Sequence, residues 1–252
     1  AVTWGDADFG GDSSAVQDQL KNVQQIQASE GAFAAILDDG SVVSWGDAEF
    51  GADSSTVQAQ LKTWGQAHEG GDSTNVQQIH ATVCAFAAVL SSGSVVTWGH
   101  AGLGGDSSVV KDRLQHVSHI QASKSAFAAI RADGSVVTWG DAVFGGDSSE
   151  VQGQLQNVLH IQASGPAFAA IRADGSVVTW GHATSGGDSS AVKDRLQNVQ
   201  QIQASDRAFA AILADGSVVT WGDAFSGGDS TSVQDRLQHV VHIQASHGAF
   251  AA

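Results

Sequence analysis

The residues best placed to do chemistry follow the Trp-Gly pairs. Trp-Gly occurs at Trp4, Trp45, Trp64, Trp98, Trp139, Trp180 and Trp221, and the residues two after each Trp are Asp6, Asp47, Gln66, His100, Asp141, His182 and Asp223. If the segments between them formed a ring, these side chains would lie at one height on one face, a circle of Asp and His. Such a circle would suit a basic peptide or a metal ion, and its charge would rise as pH falls through the His range. The plainer reading, a solvent-facing turn that accepts any polar residue, is favoured. Asp6, Asp47, His100, Asp141, His182 and Asp223 are therefore expected to be, at most, a partner-binding rim. Asp6, Asp8 and Asp12 also offer three oxygens of the kind calcium accepts. Asp47 and Glu49 keep that pattern, but Gly102, Val143 and Thr184 lose it, so turn chemistry explains the acids better. Ser, His and Asp are abundant, yet none sits in a unique catalytic motif. Gly-Gly-Asp-Ser-Ser lacks the Gly-Lys-Ser/Thr ending of a phosphate loop. No catalytic, metal or cofactor residue is assigned, and no cofactor is expected.

The elements that would position these residues are repeated hairpins. Gly31 to Gly46 reads as an apolar strand, an Asp-Gly turn and a β-branched strand ending in Trp-Gly. It recurs as Ala85 to Gly99, Ala126 to Gly140, Ala167 to Gly181 and Ala208 to Gly222. Asp133-Gly134 and its equivalents are expected to form two-residue turns with positive φ. A sixth hairpin is split between residues 249–252 and 1–5. These are expected to pair antiparallel and close a six-unit ring; an open array is the alternative. The step between Trp residues is 41 except from Trp45 to Trp98, where it is 53 and includes Trp64. A seventh blade arises only if the Trp64 segment forms its own.

Between hairpins, Asp12, Asp53, Asp72, Asp106, Asp147, Asp188 and Asp229 each precede Ser, as turn or cap residues do. Val16, Leu20 and Val23 then stand at i, i+4 and i+7, which suggests one or two helical turns, with a short strand possible. Val23 to Ser29 reads as a strand with Gln exposed, and His116, His119, His160, His239 and His242 belong to its polar face in later copies. Ala-Phe-Ala-Ala-Ile is apolar on both sides, so no unit can bury it alone and neighbouring units must stack. Phe33, Phe86, Phe127, Phe168, Phe209 and Phe250 are expected to lie buried between sheets.

Charge narrows the partners. With 26 acidic and 11 basic residues the formal net charge is −15, which disfavours nucleic acid and anionic membranes and suits a basic protein, peptide or cation. Cys84 is the only cysteine, which rules out an intrachain disulfide, and its apolar setting suggests a small buried hydrophobe. The longest apolar run, Val83 to Leu90, is too short for a membrane-spanning helix. The chain contains no Met and begins inside a strand, as a processed product or a window from a longer array would.

Asp-Gly-Ser-Val-Val-Thr-Trp-Gly, a Gly-rich loop, Val-x-x-Ile-x-Ala and Ala-Phe-Ala-Ala-Ile, in that order, resemble the repeat of the regulator of chromosome condensation family. The resemblance covers nearly the whole chain. It implies a β-propeller of four-stranded blades, usually seven, with strands shared between the ends. Here the units are shorter, Gly-Asp-Ser replaces the family's Gln-Leu-Gly, and the proline before the third strand is missing. The expectation is an all-β propeller of six hairpin units forming one domain over residues 1–252. Its expected role is a non-enzymatic interaction scaffold for a protein partner, within a larger assembly. The resemblance also implies two alternatives. A nucleotide-exchange factor for a small GTPase would need a projecting loop, for which Ala59 to Gly71 is the candidate. An ultraviolet photoreceptor, as in one plant branch, would carry Gly-Trp-Arg-His-Thr, a run this sequence lacks. Its Trp residues all occupy one repeated packing slot.

Overall fold

The computed structural model describes residues 1–61 and 75–252. Five units each form a three-stranded antiparallel sheet in sequential order, and a sixth has two strands. Their strands are Val23–Ala28, Ala32–Leu37 and Val42–Gly46 in unit 1, and Val76–Ala81, Ala85–Leu90 and Val95–Gly99 in unit 2. Unit 3 has Val117–Ala122, Ala126–Arg131 and Val136–Gly140; unit 4 has Val158–Ala163, Ala167–Arg172 and Val177–Gly181. Unit 5 has Val199–Ala204, Ala208–Leu213 and Val218–Gly222, and unit 6 has Gln244–Ala245 and Phe250–Ala251. Trp64, Gln66 and Asp72, with the question of a seventh blade, lie outside the described residues.

The core lies between sheets. Ala34 and Ile36 of unit 1 pack with Ile79, Phe86 and Trp98 of unit 2. Ala85 and Val89 of unit 2 pack in turn with Phe127 and Trp139 of unit 3. Alternate residues of each middle strand thus face opposite neighbours, as a period of two requires, and the alanines let the sheets approach. Phe86, Phe127, Phe168 and Phe209 are fully buried. Phe33 and Phe250 are only half-buried, because unit 1 has no sheet before it and unit 6 lacks a third strand.

Each interface carries the same lock. The indole N–H of Trp45, Trp98, Trp139, Trp180 and Trp221 donates to the carbonyl of Gly10, Gly51, Gly104, Gly145 and Gly186 respectively, each at 3.0 Å. Each indole also stacks on the Phe of its own hairpin, with centroids 5.1–5.3 Å apart. The glycines cannot be replaced cheaply. A Cβ on Gly104, where φ is +103°, would sit 2.6 Å from the Phe127 ring.

Three local expectations are corrected. The hairpin turns are three-residue loops: Gly134 N–H bonds the Arg131 carbonyl and Arg131 N–H bonds the Ser135 carbonyl. Gly134 alone has positive φ, at 76°, and Asp133 does not. This is a turn followed by a left-handed glycine, which preserves the in-register pair Ile130 with Val136. Second, the fourth strand that the family resemblance implied is absent among the described residues, and the helical turns suggested by the spacing of Val16 and Leu20 stand in its place. They are 3₁₀ segments, as at Ser108–Arg113, with a single α-helical turn at Gln58–Leu61 in unit 2. Each segment buries one leucine in units 1 to 5, namely Leu20, Leu61, Leu114, Leu155 and Leu196. Third, His116 and His239 are not strand residues but sit at φ 56–57° just before the first strand, where Asn stands in units 1, 4 and 5.

The ends do not pair as expected. Among the described residues no bond joins residues 1–5 to residues 249–252. Ala1 instead donates its ammonium to the Leu20 carbonyl at 2.6 Å and packs on the outer face of unit 1. The local contacts that follow each third strand hold Ala1–Thr3 beside their own loop.

Candidate interaction face

The predicted rim residues are turn caps. Each begins a short 3₁₀ turn, of which the first is Ala7–Phe9. Asp6, Asp47 and Asp141 accept from the amides of Asp8, Glu49 and Val143 at 2.8–3.0 Å, and Asp223 accepts from Ser226 at 2.9 Å. His100 and His182 make no such cap; His182 Nδ1 lies 3.2 Å from the Ser185 hydroxyl. The plainer reading therefore accounts for the four Asp residues. Among the described residues, no three His, Cys, Asp or Glu side chains converge as a metal would need.

The acids of the Gly-rich loop serve similarly. Asp12, Asp106, Asp147, Asp188 and Asp229 each accept from the amide two residues on at 2.8–2.9 Å. Those amide bonds first, and the neighbouring hydroxyls second, hold these carboxyls below the usual range. In Asp53 the order is reversed, the Ser55 hydroxyl counting most.

A second set of residues, not anticipated, lies at the same end. The turns between first and second strands carry Glu30, Val83, Lys124, Gly165, Asp206 and His247. The amide of each donates to the carbonyl of the next, at 3.0, 2.9, 2.8, 2.8 and 2.9 Å in order, a ladder running through all six units. Ser29, Ser123 and Ser205 bind this end together. Each hydroxyl accepts from, or donates to, the turn's own backbone, and donates to Phe50, Phe144 and Ser226 carbonyls in the 3₁₀ turns at 2.8–2.9 Å. Four successive turns line a shallow, open depression of about 350 Å³ bordered by Glu30, Val83, Lys124 and Gly165. Lys124 Nζ pairs with Asp206 at 2.7 Å across two units.

The signal for this set was in the sequence. In a chain of near-copies, the residue between Ala-Ser and the apolar strand changes chemistry in every unit. Cys84, expected to be buried, belongs to the same turns and is only half-buried. Partial burial pushes its thiol up, helped by the carboxylates of Glu30, Glu49 and Asp47.

Along the inner strands, His80 and His119 meet edge to face with ring centroids 5.6 Å apart. Burial, reinforced by the positive field of His119, lowers His80 to about 4. The more open His160 is lowered by the same two causes in the same order.

No family model matches the sequence, and no curated protein resembles it significantly. Solved structures do. Prp20p from Saccharomyces cerevisiae superposes with a TM-score of 0.53 at 19% identity over 94% of this chain and 65% of that one. Yeast RCC1 (Prp20) bound to Kap60 gives 0.52 at 18% identity over 83% of this chain and 57% of that one. The ectodomain of the Physcomitrella patens receptor kinase CR4 gives 0.50 at 14% identity over 89% and 56%. The chain thus spans about three fifths of the length of the structures it matches. Three-stranded units with cores between sheets, Trp locks and these superpositions together make the fold an RCC1-like β-propeller.

Proposed function

We propose that the chain is a non-enzymatic interaction module whose axial turns and 3₁₀ turns receive a basic protein segment. The observation that carries the reading is that the turns at one end present Glu30, Asp47, Glu49, Asp141 and Asp223, spread over several units, together with exposed apolar side chains. Phe225 is 98% exposed in the 3₁₀ turn after Asp223, Val143 holds the same place in its turn and is also exposed, and Phe9, one place further on in its own, is half exposed. Carboxylates beside apolar contacts suit Lys- or Arg-bearing peptides with a hydrophobic anchor. The repeated skeleton is spent on packing, whereas the varied residues gather where a partner has access. Prp20p, of similar fold, is described as binding Gsp1p and histones, which supports a protein partner. The alternative is an exchange factor for a small GTPase; most of its candidate loop, Ala59 to Gly71, lies outside the described residues.

A peptide array of basic, neutral and acidic sequences, probed with the 252-residue chain at low and high salt, tests the reading. Basic peptides with an apolar residue should bind, with affinity falling as salt rises. F225S and the pair D47N/D141N should each weaken that binding at least about tenfold, or about 1.4 kcal/mol. Equal binding by acidic peptides, or no effect of either variant, would overturn it.

A further inference from the structure

At the axial end, the turn residue that changes chemistry in every unit builds a single device across three of them. Lys124, Gly165 and Asp206 hold the same turn position in units 3, 4 and 5. Lys124 Nζ meets Asp206 Oδ1 at 2.7 Å, reaching past the turn of unit 4. Gly165 leaves room for the contact, since a Cβ there would lie 2.7 Å from both the carbonyl oxygen and Oδ1 of Asp206. The other carboxylate oxygen, Oδ2, faces His247 Nε2 at 4.0 Å.

The ion pair is not what holds these turns together. The backbone ladder joins Glu30 to Val83 at 3.0 Å and Val83 to Lys124 at 2.9 Å, where among the described residues no ion pair spans the turns. It joins Lys124 to Gly165 and Gly165 to Asp206 at 2.8 Å, beneath the pair, with nearly the same lengths. The two partners are also unequally placed. The Asp206 side chain is 17% exposed, whereas that of Lys124 is 48% exposed on a flexible four-carbon stem. Without a cation the carboxylate would be left largely buried and unmatched, while the ammonium gives up little by turning back into water. Gly165 borders the open depression of about 350 Å³, so a chain segment lying there reaches the carboxylate over a residue with no side chain.

We propose that Asp206 is a subsite for a lysine ammonium of the partner, and that Lys124 occupies it until the partner arrives. The subsite, which rests on the reading of a basic partner given above, names the residue that takes up one of its charges. Binding exchanges one ammonium for another, and the carboxylate keeps a cation throughout. A lysine fits better than an arginine, because Oδ1 alone is offered while Oδ2 faces His247, and a guanidinium fork uses both oxygens.

The test titrates two fluorescent peptides into the 252-residue chain and its variants at about 0.15 M salt, where long-range charge effects are screened. One peptide carries three lysines and one phenylalanine; the other is the same with its lysines acetylated. K124A should bind the lysine peptide about two- to sixfold more tightly than the wild type, the factor by which an exposed ion pair keeps its carboxylate occupied. It should bind the acetylated peptide no better. D206N should bind the lysine peptide more weakly than the wild type, and K124A should bring no gain in the D206N background. Unchanged or weaker binding by K124A, or full binding by D206N, overturns the subsite and leaves the basic-partner reading standing, since the wild type still binds. A gain that persists with D206N or extends to the acetylated peptide also overturns the subsite, because it then comes from the general charge of the face. A lysine peptide bound by neither the wild type nor K124A overturns both.

Discussion

Units 3 and 4 and the two end units are built from nearly the same residues, yet they do not share one environment. Phe127 and Phe168 are fully buried, whereas Phe33 and Phe250 in the same sequence context are half-buried. Trp139 stacks on Phe127 and bonds Gly104, whereas Trp4 does neither. Burial in this fold is conferred by the neighbouring unit and not by the unit's own sequence. This is the energetic pattern of a stacked repeat, in which stability sums over interfaces.

The largest test of that difference is truncation of the aromatic. F127A and F168A should each cost about 3–5 kcal/mol in denaturant unfolding, as a fully buried aromatic does, and F250A clearly less. Equal losses at Phe127 and Phe250 would break the comparison.

Next is the half-buried imidazole of His80, which meets His119 between units 2 and 3. The folded state holds His80 neutral down to about pH 4, while the unfolded chain takes up its proton near 6.5. Stability should therefore be complete above pH 6.5 and decline as pH falls towards 4, by at most about 3 kcal/mol. H80Q should flatten that part of the profile. An unchanged slope in H80Q would remove His80 as its cause.

Replacing the indole donor comes third. W139F keeps the stacked ring but strands the Gly104 carbonyl, and should cost about 1–3 kcal/mol. W4F should leave the thermal midpoint of the dilute protein unchanged. The finest comparison is between glycines. Gly145 and Gly5 both have positive φ, but a Cβ on Gly145 would lie 2.6 Å from Phe168 and one on Gly5 meets nothing within 4 Å. G145A should destabilise more than G5A, and the difference isolates packing from backbone strain, itself of about 1–3 kcal/mol. Equal effects would mean that the Phe168 ring gives way.

Much of this fold was legible because local signals repeat. Gly-Ser-Val-Val-Thr-Trp-Gly marks the hairpin, and its register follows from alternation, as in Phe127 paired with Trp139. The turn type was not legible, because Ala132-Asp133-Gly134 makes a two- or three-residue loop depending on whether Ala132 pairs. The helical segment showed in the spacing of Val16 and Leu20, though not its tight 3₁₀ winding. Of the candidate site, the Asp caps were read and the axial turns were not. Those turns are joined by bonds between residues about 41 positions apart, and no window along the chain reports such a neighbour. The ends were misjudged for a related reason, since complementary patterns at 1–5 and 249–252 do not fix the curvature that would bring them together.

The Trp locks have a consequence for how the chain tolerates change in length. Four of them span 35 residues and the lock from Trp98 to Gly51 spans 47, yet all close at the same distance. Twelve additional residues are accommodated without moving donor or acceptor. For a flexible segment, lengthening a closed loop by that ratio costs only about 0.3 kcal/mol. The joints set the geometry, and the length of chain between them does not. A peptide inserted between the 3₁₀ segment and the following first strand of any interior unit would hang from the molecule as a passenger, its length nearly invisible to the joints on either side.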